Sequence, residues 1–143
     1  MIKQKQLFRH NPPETYGDCQ RTVLACILDQ APEEIPNFGI HYEDGAQFKK
    51  ALDEYLATRG LFLISFAYDI SLEELQAYMK IAHPGVYYML TGTSANGTHH
   101  VVIGLDDKIH WDPAIDDSGI VGPCNTGYYW IEFLVPTFTK AGL

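Results

Sequence analysis

The densest apolar run in the chain, Val23-Leu24-Ala25-Cys26-Ile27-Leu28, lies inside "CQRTVLACILDQ" and wraps most of a helical circumference instead of forming one stripe. A helix of that kind belongs inside a domain, since it has no wet face. Asp18 stands at its N-cap position and the prolines of "APEEIPNF" end it. A second helix is predicted for "GAQFKKALDEYLATRG", where Phe48, Leu52, Tyr55 and Leu56 recur at helical spacing before Gly60. In "SLEELQAYMKIA", Ser71 and Glu74 form the capping-box pattern of a short surface helix.

The other segments read as strands. "LFLISFAYDI", "GVYYMLTG", "HHVVIGLDD", "KIHWDPA" and "YYWIEFLVPTF" are short runs rich in Val, Ile, Tyr, Phe and Trp. Gly-, Asn-, Asp- and Pro-bearing stretches such as "TSANGT" and "DDSGIVGPCNTG" divide them, and "NPPETYG" is loop. Helices first and strands after predict an α+β domain, with an antiparallel meander and a segregated helix layer. The central N-terminal helix is then expected to lie on the sheet.

At 143 residues and 46% hydrophobic, the chain matches a single domain over residues 1–143. A formal charge of -8 leaves no basic stripe to neutralise phosphates, so neither nucleic acid nor an anionic membrane is expected as partner. The start, "MIKQKQLFRHNPPE", lacks an apolar signal core, and no stretch approaches the roughly 18 apolar residues of a membrane span. A cytoplasmic location is the expectation. The odd cysteine count (Cys19, Cys26, Cys124) fits a reducing compartment, with at least one thiol free.

Chemistry concentrates at "YGDCQ" and "GTHHVVIGLDDKIHWDPA". A helix N-terminus favours a thiolate, which places Cys19 as a candidate nucleophile. A histidine beside it would complete the activation, and a third polar group would orient that histidine. His99 and His100 open one strand, a turn at Asp106-Asp107 reverses the chain, and Asp112 ends the next strand. A two-residue hairpin would make His100 and Asp112 cross-strand neighbours. Alternation allows only one of His99 and His100 to point at the helix.

Gly17-Asp18-Cys19, His100-Val101-Val102-Ile103-Gly104 and Asp112-Pro113, in that order, resemble the papain-like cysteine hydrolases. The likeness is to their short bacterial and phage members and to the peptidase domains of bacteriocin exporters. The resemblance implies a papain-like fold and a hydrolase acting on a peptide or small amide substrate, without a cofactor. Cys19 would be nucleophile, His100 general base and acid with His99 as the alternative, and Asp112 the orienting residue. The family also places a side-chain donor, usually Gln, several residues before the cysteine to hold the oxyanion. Here Gln6 is far upstream, and of Asn11, His10 and Thr15, which lie nearer, Asn11 is the preferred candidate.

Competing readings remain for the same residues. Cysteine is often simply buried, and Cys26, about one helical face on from Cys19, is expected in the core, with Cys124 a bystander in its loop. The cysteines and histidines lack chelating Cys-x-x-Cys or His-x-x-x-His spacing, so no metal is expected. His110 is placed by alternation on the face of Asp112. The same triad would also serve acyl transfer, and a catalytically silent binding module built on the same scaffold is the alternative of a different class.

Overall fold

In the computed structural model, which describes residues 1–142, the chain forms an α+β structure of three helices and a five-stranded antiparallel sheet. The helices are α1 (Cys19–Ile27), α2 (Gly45–Thr58) and α3 (Leu72–Ala82). The strands are β1 (Leu61–Tyr68), β2 (Tyr88–Thr93), β3 (His99–Leu105), β4 (Lys108–Trp111) and β5 (Tyr129–Pro136). Caps follow the sequence closely: Asp44 accepts from Gln47 N–H at the start of α2, and Ser71 accepts from Glu74 N–H at the start of α3.

Two expectations need correction. The strands do not form a simple meander, because their order is β1-β5-β2-β3-β4. Between β4 and β5, residues 112–128 are long enough to cross the end of the sheet. They pair there with β2 through Thr93 and Gly122 (both hydrogen bonds 2.8 Å), and β5 then enters between β1 and β2. Nor is the helix layer segregated. Alternate strand residues feed two cores: Met89, Val101 and Ile103 pack with α1 and α2, whereas Tyr88, Leu90, Val102 and Ile131 pack with Leu75 and Met79 of α3. The sheet is apolar on both faces, and α3, expected at the surface, covers the second with two side chains of 0% exposure. Burying each contributes about 2 kcal/mol.

An irregularity in the β3–β4 hairpin sets the direction in which Asp112 points. Leu105 pairs with Lys108 around the expected two-residue turn, and Gly104 pairs with Ile109, but Ile103 pairs with Trp111. His110 is therefore an extra residue on β4, a bulge. In regular register Asp112 would follow on opposite Val101 and face away from His100. The extra residue reverses that side, and Asp112 Oδ1 lies 2.7 Å from His100 Nε2.

The N-terminal segment closes the structure. Ile2 N–H donates to Cys26 O (3.1 Å), Trp111 Nε1 donates to Gln4 O (2.7 Å), and Gln6 N–H donates to Pro113 O (2.8 Å). Residues 2–8 thus lie along α1 and reach the loop after β4.

Candidate active site

Cys19 is the first residue of α1, half-buried, and lines an open cavity of about 930 Å³. The first intrahelical hydrogen bond is Thr22 N–H to Asp18 O (3.0 Å), so the amide of Cys19 belongs to the unpaired first turn. Asp18 occupies the N-cap position, yet its side chain does not cap. Its carboxylate, 1% exposed, accepts from Leu7 N–H (3.1 Å), Phe8 N–H (3.1 Å) and Arg21 Nε (3.0 Å). Arg21 also donates to Ile35 O (3.1 Å). Asp18 is thereby spent on tying the N-terminal segment to the helix start.

Of the two adjacent histidines, the structure brings His100 to the sulfur. His100 is buried, its Nε2 lies 2.7 Å from Asp112 Oδ1, and Cys19, which lines the same cavity, is near enough to act on its protonation. With Nε2 taken by the carboxylate, Nδ1 is the nitrogen left for sulfur. Burial alone would lower the imidazole pKa. The hydrogen bond to Asp112 and the neighbouring Cys19 side chain, with the charges behind them, outweigh it and push His100 up to about 9. Asp112 is also half-buried, which works to raise its pKa. Its hydrogen bonds from His100, Ala114 N–H (2.9 Å) and Gly119 N–H (2.7 Å) nevertheless hold it below the usual carboxylate range. The long β4–β5 connection supplies Gly119, so the segment that crosses the sheet also fixes the carboxylate.

His99, by contrast, is exposed at the cavity rim. His110, on the bulge, packs against the Tyr87 ring (centroids 5.4 Å) and does not share the face of Asp112. Cys26 and Cys124 are both buried, and burial pushes both thiols up, away from the nucleophilic range. Cys124 lies in the loop before β5, a free thiol whose side chain is buried.

Asn11 is not brought to the site. It is exposed, its main chain exchanges both hydrogen bonds with Thr15 (3.1 Å each), and it does not line the cavity. Gln6 does line it. Residues 9–17 make an excursion whose ends meet, with Gly17 N–H donating to His10 Nδ1 (3.1 Å), so the count of residues between Gln6 and Cys19 overstates their separation. The turn-forming "NPPETYG" held that signal. Gln6 Nε2 donates to Phe8 O (3.1 Å) and, as an amide nitrogen, keeps a second hydrogen.

Gln20, His10, His41, Arg9 and Asp116 also border the cavity. The Asn96 amide, then the Arg9 guanidinium, hold the Asp116 carboxyl below its ordinary range at the rim. Among the described residues no helix is long and apolar enough to cross a membrane, and no three His, Cys, Asp or Glu side chains are grouped to hold a metal ion. No family model, curated protein or solved structure matches this chain.

Proposed function

We propose that this protein is a papain-like cysteine hydrolase that cleaves an amide or peptide bond through a thioester acyl-enzyme. One observation carries the reading: a buried imidazole held at 2.7 Å by a carboxylate shares a cavity with a thiol at a helix start that is near enough to act on its protonation. An imidazole with a pKa of about 9 is protonated at neutral pH, which favours a thiolate–imidazolium pair.

The chemistry rests on that pair. The Cys19 thiolate attacks the substrate carbonyl carbon, and the carbonyl π electrons move to oxygen. The Cys19 amide, in the unpaired first turn of α1, and the cavity-lining Gln6 side chain would donate to that oxyanion. Collapse breaks the C–N bond, and the leaving amine takes the proton of the His100 imidazolium. Neutral His100 then removes a proton from water as its oxygen adds to the thioester. The C–S bond breaks, releasing the acid and restoring the thiolate and imidazolium. Asp112 keeps the ring oriented throughout and does not itself take the proton.

Alkylation by iodoacetamide between pH 4 and 9, with labelled positions located by mass spectrometry, tests the reading. Cys19 should react as a thiolate well below pH 8, and His100→Gln should return it to an ordinary thiol profile near 8.5. A wild-type Cys19 that already tracks the ordinary profile would refute the proposal.

A further inference from the structure

A second cavity of about 370 Å³ opens off the first, the two sharing Gln20, Phe48, Thr91 and Glu132. It lies between α2 and the sheet. Phe48 and Leu52 line it from the helix, Leu63 and Trp130 from the strands, and Glu132 stands in the row Ser65–Glu132–Met89 across β1, β5 and β2. Two carboxylates line this largely apolar slot, and while Asp53 is paired with Lys49, Glu132 requires explanation, because burying a carboxylate without a cation is costly.

The charge of Glu132 is not met by the protein. Its Oε2 accepts from Ser65 Oγ (2.6 Å), while Oε1 has no hydrogen-bond partner and is not sealed from the cavity. Lys49, the cation lining the same slot, is engaged at 2.6 Å with Asp53. Burial raises the Glu132 pKa against the lowering pull of Ser65 and, further off, of Lys49; Asp53 adds to the rise. An occupant carrying positive charge would relieve this strain, and one with an aliphatic stem would suit the Phe48, Leu52 and Leu63 walls.

We propose that this slot is a specificity pocket and that Glu132 selects substrates bearing a flexible apolar side chain tipped with an amine or guanidinium, as in lysine or arginine. The inference rests on the hydrolase reading of Cys19, because the slot opens onto the cavity that holds the sulfur.

The experiment compares two peptidyl chloromethyl ketones that alkylate Cys19, identical except for lysine or norleucine in the residue next to the reactive carbon. A second pair carries the change one residue further along. In the wild-type protein the lysine reagent of one pair should inactivate at least about tenfold faster than its norleucine partner. Glu132→Gln keeps the shape and an acceptor for Ser65, and should erase that preference while leaving the iodoacetamide rate of Cys19 unchanged. Equal rates for lysine and norleucine in both wild-type pairs overturn the proposal whether or not the variant folds, as does a preference that survives in a folded Glu132→Gln protein. The two readings fail separately. An ordinary iodoacetamide profile at Cys19 defeats the hydrolase, whereas a thiolate-like profile without lysine preference defeats only the pocket.

Discussion

Replacing Asp112 by Asn removes one charge and alters few contacts, so its effect can be worked out in parts. The carboxylate accepts three hydrogen bonds: from His100 and Ala114 at Oδ1 and from Gly119 at Oδ2. An Asn that keeps its oxygen toward His100 and Ala114 turns its NH2 against the Gly119 N–H. That mismatch costs about 1–3 kcal/mol and does not depend on pH. The second part does. His100 rises from 6.5 unfolded to about 9 folded, which bounds the linked stabilisation at about 3 kcal/mol, shared between Asp112 and Cys19. Because the folded value is the higher one, this stabilisation is complete below about pH 6.5 and is lost as pH rises through about 9.

Urea denaturation of the wild-type and Asp112→Asn proteins between pH 6 and 10 reads both parts. The variant should be less stable at pH 6 by the mismatch plus the Asp112 share of the imidazolium term, on the order of 1–2 kcal/mol. The gap should shrink to the mismatch alone by pH 10. A gap that is flat with pH, or that widens in alkali, would show that the carboxylate does not support a protonated ring.

Four further outcomes are expected. Gln6→Ala should slow acylation of Cys19 by a substrate ester by roughly 10²- to 10³-fold with little effect on alkylation by iodoacetamide, which forms no oxyanion; an unchanged acylation rate would remove Gln6 from the machinery. Asn11→Ala should change stability by no more than about 0.5 kcal/mol and leave turnover intact, as measured by urea melts and initial rates. In Asp18→Ala a buried Arg21 loses its partner and two N–H groups of the N-terminal segment lose their acceptor, so a destabilisation of about 3–5 kcal/mol should appear in denaturation. Gly39→Ala would set a Cβ 2.1 Å from Gly17 O, and the turn that presents Cys19 must move. Its iodoacetamide rate at pH 6 should fall, alongside an overpacking cost of about 1–3 kcal/mol.

The helices and strands were readable because their signals are local: the Ser71–Glu74 box, the Asp106-Asp107 turn, the apolar wrap of α1. Their arrangement was not. Whether β5 joins the sheet beside β4 or crosses to lie between β1 and β2 depends on how residues 112–128 bridge the sheet end, and no short-range pattern encodes that path. The second covered face was partly visible, since strands such as "VVIG" are apolar at successive positions and do not alternate. In the site, Cys19, His100 and Asp112 were identifiable by order and residue type. Separation along the chain favours Asn11 over Gln6, but the folded excursion of residues 9–17 breaks the link between distance in sequence and distance in space. Glu132 carried no sequence signal at all: a single acid in an aromatic strand becomes notable only when Ser65, Lys49 and the slot are seen around it.

The bulge at His110 makes the count of residues between turn and carboxylate part of the apparatus. Trimming the hairpin by one residue would restore a tidier ladder and swing the acid round to the wrong side, leaving every participating amino acid present and none of them cooperating. For anyone re-engineering this protein, the identity of the residue at position 110 is therefore open to choice, whereas its existence is not.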